Sequence, residues 1–501
     1  MLTRRTIGSL ATVLMMGGAL ACHAPSHAPR VSADRAPSVQ TGEIVRGRCD
    51  RESEHFTLAH VNDLQAHYVD VVPGKNRYGY LAGYLRALRQ EEPSTLVLDA
   101  GDDYEKGSIV ELRSMGEATR RMIQALPLDA RTIGNHDFAY GEAALLRDLQ
   151  LSAHPVLAAN VHYSDGSSPF VPYVAATIGC VRVGVVGLVT GSYGSDDQPS
   201  PSDAPYFGVL EHDDHYAKVL RDVVEQHRGE VDVMIALTHL GFYTDLELGA
   251  QVPDVDVFVG GHSEDVIATG QSYQRRDGRT GWVLQAGHFG EHVGRADFTF
   301  DRASRALKLA RYTMVDVDTS LPYADDVGRV AHGLERAFAT DPRAPIGVVT
   351  SPIEAGEGMV QLLARAVRDR WAVDALFVGR DVFWQGLPTG PVTLQRLFDS
   401  VPVQREPSGT PGFTSLYIVQ VTGADLFALH QHSFGGYSMV APDGVLPDRT
   451  YRLAIDKRAL EHTGIVAAGV SLPSGDARFG GEIIDVLEAY ARKCTARGVP
   501  L

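Results

Sequence analysis

The sequence predicts an α/β protein, and three observations carry that prediction. Five short apolar runs, FTLAHVNDLQ, STLVLDAGD, RTIGNHD, DVMIALTHLG and VDVFVGGHSE, each read as a buried strand followed by a Gly-containing or polar turn. From Phe56 to about Asp318, strand-like runs of this kind alternate with helix-like ones. At 501 residues the chain exceeds what one core supports, which predicts two domains with short additions.

The elements follow in order. Arg4 and Arg5 precede an uncharged stretch from Thr6 to Ala21 that closes on Ala-Leu-Ala-Cys, so residues 1–21 read as an export signal peptide. Two cleavage outcomes stay open. Ala-Leu-Ala suits an ordinary signal peptidase, whereas an apolar run ending at Cys22 suits a lipoprotein, with Ala19 standing where Leu is usual. Residues 22–51, rich in Ala, Pro, Ser, His and Arg without periodicity, read as a flexible spacer.

Residues 52–320 then form the first domain, with helices expected in YGYLAGYLRALRQEE, around Glu142–Leu149 and at Tyr216–His227. Residues 321–345 read as a linker helix, with Val327, Val330, Ala331, Leu334 and Phe338 at helical spacing before the rigid break DPRAP. The second domain, 346–501, is expected to begin with a helix carrying Met359, Leu362, Leu363, Ala366 and Val367. It continues with the strands DALFVG, SLYIVQVTG and YRLAI. Beyond the N-terminal segment no stretch is long and apolar enough to span a bilayer.

The charge balance is acidic, 46 basic against 62 acidic residues, and removing Arg4 and Arg5 with the signal leaves 44 against 62. Such a surface repels a nucleic acid polymer, while a small phosphorylated substrate stays compatible because bound metal ions reverse the sign locally. Cys180 lies in an apolar run and reads as a buried thiol. Export permits a Cys49–Cys494 disulfide, with two free thiols as the alternative.

The chemistry sits at the ends of the five runs. In an α/β sheet, strand ends converge at one edge, where ligands collect. That would gather Asp63, Gln65, Asp102, Asn135, His136, His239, His262 and Glu264, enough oxygen and nitrogen for two metal ions. Six other histidines, His212, His215, His288, His292, His430 and His432, read as surface or packing residues.

In order and spacing, the five motifs resemble the 5′-nucleotidase and UDP-sugar hydrolase family of calcineurin-like metallophosphoesterases. VTGADLFAL and TYRLAI resemble that family's second domain. The resemblance implies an αββα sandwich joined by a helix to a smaller α/β domain. It also implies two divalent ions, one on Asp63, Gln65, Asp102 and Glu264, the other on Asp102, Asn135, His239 and His262. A metal-activated hydroxide would then attack the phosphorus, with His136 stabilising or protonating the departing oxygen.

Three departures from the family pattern lie close to that chemistry. Gln65 replaces an imidazole and Glu264 replaces His or Gln, which makes the first site oxygen-only and suited to Mn²⁺, Mg²⁺ or Ca²⁺. The second site, with two imidazoles, suits Zn, Mn or Fe. Ala139 stands where the family has an Asp that pairs with the catalytic histidine, and the resemblance suggests that Glu105, three residues after Asp102, substitutes for it, with a solvated loop residue as the alternative. In the second domain, Trp384 stands where a phosphate-gripping arginine belongs. Phe434 falls on a base-stacking position, Phe479 is the nearest candidate for the second one, and Arg380 is a further substrate-binding candidate.

The expected function is an exported hydrolase of nucleotides or related small phosphate esters, periplasmic or tethered to the cell envelope. The alternatives are a phosphodiesterase acting on cyclic nucleotides or nucleotide sugars, and a surface binding protein that lost turnover.

Overall fold

The computed structural model describes residues 43–49, 55–191, 210–339, 341–402, 412, 414–431, 436–461 and 477–501. The signal segment, Cys22, His432 and Phe434 lie outside the described residues.

The first two thirds of the chain fold as a four-layer αββα sandwich. One sheet has six strands in the order Ala306–Asp316, His292–Asp301, His55–Val61, Thr95–Asp99, Ala130–Thr132, Val156–Leu157. The other has seven, in the order Ile44–Arg46, Tyr173–Ile178, Val181–Val189, Val233–His239, Val257–Val259, Thr280–Leu284, Gln271–Gln274.

The period-two geometry of a strand assigns its residues to layers. In His55–Val61, Phe56 and Leu58 enter the core between the sheets, where they join Leu237, Val259 and Phe298. Ala59 and Val61 face the other way, onto the helix Arg77–Glu91 through Leu81 and Leu85. In Val233–His239, Met234 and Ala236 pack outward against Leu220, Val224 and Leu248 of the helices Tyr216–His227 and Phe242–Gln251. Strands covered on both faces need continuous apolar sequence, which is why these runs read as buried.

The five runs do not share one sheet edge as expected. His55–Val61, Thr95–Asp99 and Ala130–Thr132 are parallel neighbours in the six-stranded sheet. Val233–His239 and Val257–Val259 are parallel neighbours in the seven-stranded one. The site therefore forms across the mouth of the sandwich. A strand run carries no mark of which sheet it joins, because pairing is decided by long-range partners.

The C-terminal region holds a five-stranded sheet, Tyr437–Val440, Ala375–Gly379, Thr450–Asp456, Ser415–Thr422 and Arg478–Glu482 in that order. It begins with the strand Pro345–Val349, paired with Gly390–Thr393, and only then reaches the helix Glu357–Trp371, where a helix was expected first. That strand's partner lies some forty residues further on and leaves no local signal. Among the described residues, no helix is long and apolar enough to cross a membrane.

The cysteines pair differently from the expectation. Cys49 is disulfide-bonded to Cys180, and Cys494 is a buried free thiol in the helix Ile483–Ala496. The strand Ile44–Arg46 pairs parallel to Tyr173–Ile178 with Arg46 opposite Ile178, which delivers Cys49 beside Cys180 at a Cα separation of 4.4 Å.

Candidate active site

His239 closes the strand Val233–His239, Asn135 opens the short helical turn Asn135–Phe138, and the other expected ligands follow their strands by two to five residues. Asp63, Gln65, Asp102, Glu105, His262 and Glu264 all adopt left-handed backbone, with φ between 42° and 78°. Such conformations cost about 1–3 kcal/mol each in non-glycine residues and persist where surrounding contacts over-determine them.

Those contacts are present. Asp63 N–H donates to Gly101 O at 2.8 Å, and Gln65 N–H donates to Asp102 O at 2.9 Å, which locks the first two turns together. Asp137 Oδ2 accepts from Asp102 N–H at 2.9 Å and from Gly134 N–H at 2.8 Å. Behind it, the fully buried Arg131 pairs with Asp103 and Asp148 and lies 3.5 Å from Asp137. Gly134 is required at its position, because a Cβ there would collide with the Asp102 carboxylate and the His239 ring.

The ligand atoms of Asp102, His239 and His262 lie within 4.8 Å of one another, all three residues buried. Asp102 Oδ2 is 3.0 Å from His239 Nε2, and Asp102 Oδ1 accepts from His136 N–H at 2.8 Å. His239 Nδ1 bonds to Ala100 O at 2.7 Å, which aims Nε2 into the centre. Asn135 Oδ1 lies 2.9 Å from His262 Nδ1, and Asp63 accepts from His262 N–H at 3.1 Å. Gln65 Nε2 donates to Glu264 Oε1 at 2.9 Å.

These residues fit divalent metal. Gln65 Oε1 is buried without a hydrogen-bond partner, a lone-pair donor at a position expected to hold an ion, while His239 Nε2 faces the Asp102 carboxylate. Buried polar atoms are normally paired, so this orphan in a pocket of carboxylates points to a cation as the missing partner.

The electrostatics agree. Burial pushes the Asp63 carboxyl up to about 8, with His239 opposing and Asp102 adding to the rise. Burial lowers His239, but the Asp102 and Asp63 carboxylates outweigh it and hold the imidazole up at about 10. Both shifts favour the protonated form of these side chains. Metal ligands must be deprotonated, so uptake has to expel these protons. We expect Mn²⁺ binding at pH 7 to release protons and to tighten as pH rises from 6 to 8. Calorimetry in buffers of different ionisation enthalpy measures this directly, and uptake with no proton release would contradict it.

His136 Nδ1 lies 2.5 Å from Glu105 Oε2, both side chains buried, and its Nε2 is 3.9 Å from Asp102 Oδ2. Ala139, where the family pattern has an acid, is buried beneath the turn Asn135–Phe138. Glu105 is itself anchored by Glu111, whose Oε1 accepts its N–H at 2.8 Å.

Several residues of the centre went unread in the sequence. Asn62 clamps the site, donating to Asp63 Oδ2 at 2.7 Å and to Gly287 O at 2.6 Å while accepting from Ala286 N–H at 2.8 Å. Its only signal was adjacency to Asp63. His288, expected at the surface or in packing, instead stands 3.5 Å from Glu264 Oε2. Arg380 is exposed in a short turn after Ala375–Gly379, and among the described residues no hydrogen bond or ion pair joins its side chain to the cluster. Of the other histidines, His212 packs against Asn160 and Val189 O, and His215 and His292 pair with Asp213 and Asp316.

Residues 56–263 match the model of the calcineurin-like phosphoesterase family. A snake venom 5′-nucleotidase of Gloydius brevicauda is 30% identical over 284 residues, covering 51% of this chain and 47% of that protein. Protein UshA of Escherichia coli (strain K12) is 24% identical over 478 residues, 80% of this chain and 84% of its own. The chain spans about half the length of the first curated relatives it matches. Among solved structures, a 5′-nucleotidase precursor from Thermus thermophilus has a TM-score of 0.65 at 19% identity, covering 88% of this chain and 96% of that one, a likeness of fold alone.

Proposed function

We propose, for a chain whose residues 56–263 carry a calcineurin-like phosphoesterase domain, that the protein is an exported phosphoric ester hydrolase of the 5′-nucleotidase type. Its substrates are nucleotides or related small phosphate esters, and its centre holds two divalent ions. The observation carrying this reading is the convergence of Asp102, His239 and His262, with the His136–Glu105 pair beside them.

In this reading Asp63, Gln65, Asp102 and Glu264 hold one ion, and Asp102, Asn135, His239 and His262 hold the other. The ions supply neutralisation of the anionic ester and acidification of the attacking water. The chain does the rest. The Ala100 carbonyl and Asp137 orient His239 and Asp102. Glu105 keeps the His136 imidazole facing the centre, where it donates a proton to the departing oxygen. Arg380 and Phe434 are assigned to the substrate's leaving group, and the acidic balance excludes a nucleic acid polymer. Residues 52–320 form the catalytic domain, 321–345 the linker and 346–501 the substrate domain. Export rests on residues 1–21, and Cys22 provides a site for an N-terminal tether.

The test offers purified protein with Mn²⁺ a chromogenic phosphate monoester, the matching diester and a panel of nucleotides. We expect monoester and nucleotide turnover that a chelator abolishes. Preference for the diester would replace this reading with a phosphodiesterase. Inactivity with Mn²⁺, Zn²⁺, Mg²⁺ and Fe²⁺ alike would overturn it in favour of a binding protein.

A further inference from the structure

The turn at residues 286–290 is built onto the centre by several independent bonds. Phe289 N–H donates to Asp63 O at 2.7 Å and Gly287 N–H to Asp265 O at 2.9 Å, while Asn62 holds Ala286 and Gly287 from below. Gly287 and Gly290 sit at φ 76° and 64°, with Phe289 at 59° between them. The Phe289 ring stacks on His67 at 3.6 Å and meets the His288 ring edge-on at 4.1 Å. A turn pinned this firmly presents its remaining side chain, His288, at a fixed place.

That place faces Glu264. His288 Nδ1 is buried, has no hydrogen-bond partner and lies 3.5 Å from Glu264 Oε2. Gln65 Nε2 and the Lys106 ammonium, at 3.6 Å, both sit on the opposite oxygen, Oε1. Donors about 2.1 Å from a tetrahedral ion stand about 3.4 Å apart, so the His288–Glu264 spacing suits two ligands of one cation better than a hydrogen bond.

We infer that His288 supplies an imidazole ligand to the first metal ion, in place of the nitrogen donor that Gln65 cannot provide. The inference rests on the two-ion reading of this centre and changes its chemistry. The first site then holds nitrogen as well as oxygen, and its preference extends from Mn²⁺ and Mg²⁺ toward Zn²⁺ and Fe²⁺.

The test is a Mn²⁺ titration of the full chain by calorimetry and electron paramagnetic resonance. Wild type is expected to take up two ions. His288→Ala should weaken one of them by at least about tenfold, leave the other within about twofold, and regain affinity when free imidazole is added. His292→Ala, which alters an exposed pair with Asp316, should change neither. Melting in chelator should be the same for all three proteins. Two-ion uptake unaffected by His288→Ala overturns the assignment alone, as does weakened uptake that imidazole fails to restore. A wild type that takes up one ion, with His288→Ala indistinguishable from it, overturns it and leaves Lys106 as the partner of Glu264. A wild type that takes up none overturns the two-ion reading as well.

Discussion

Asp102→Asn is expected to lower phosphoester turnover by well over about 100-fold and to weaken the uptake of both ions. Loss of an outer-shell partner already costs about 10–100-fold, and in the proposed two-ion reading Asp102 is a direct ligand of both ions. Asn keeps the shape of the side chain, and its amide oxygen still accepts the His136 N–H that Asp102 Oδ1 holds at 2.8 Å, so the turn survives. What disappears is the charge 3.0 Å from His239 Nε2. Steady-state kinetics paired with Mn²⁺ titration reads both effects. A variant that turns over at the wild-type rate would remove Asp102 from the centre.

Glu105→Gln should behave differently, because Glu105 acts through His136. His136→Ala is expected to cost about 10²–10⁴ in kcat, the range for loss of a positioned acid. Glu105→Gln should cost about 10–100-fold on a nucleoside monophosphate with KM little changed. The same variant should hardly slow a 4-nitrophenyl ester, whose leaving group departs as a stable anion and needs no proton. The double variant should be no slower than His136→Ala alone, since residues acting as one unit are not additive. Equal slowing of both substrates would assign Glu105 a merely structural role.

How much of this was legible follows from how far each interaction reaches. Asp63, Asp102, Asn135, His136, His239 and His262 end apolar runs, and a run ending in a polar turn is a local pattern. Glu105 was legible only through the resemblance, which puts an acidic partner for the histidine three residues after Asp102. His288 was not: nothing in QAGHFG marks its approach to Glu264, which depends on Asn62 and Asp63 holding that turn from another strand. Arg131 was equally hidden. A lone arginine after an apolar residue gives no sign that Asp103 and Asp148 will close around it inside the sandwich.

The amino-acid order by itself determined the five strands that lead into the site, the helices Arg77–Glu91 and Tyr216–His227, and the residues that close each run. Those depend on side-chain periodicity and turn chemistry within a few positions. Tertiary structure alone decided that the strands divide between two sheets, that Cys49 meets Cys180 rather than Cys494, and that His288 reaches the centre. Each of these is a pairing between segments more than about a hundred residues apart or from separate loops. Its free energy comes from the packed sandwich as a whole, so no local stretch of sequence records it.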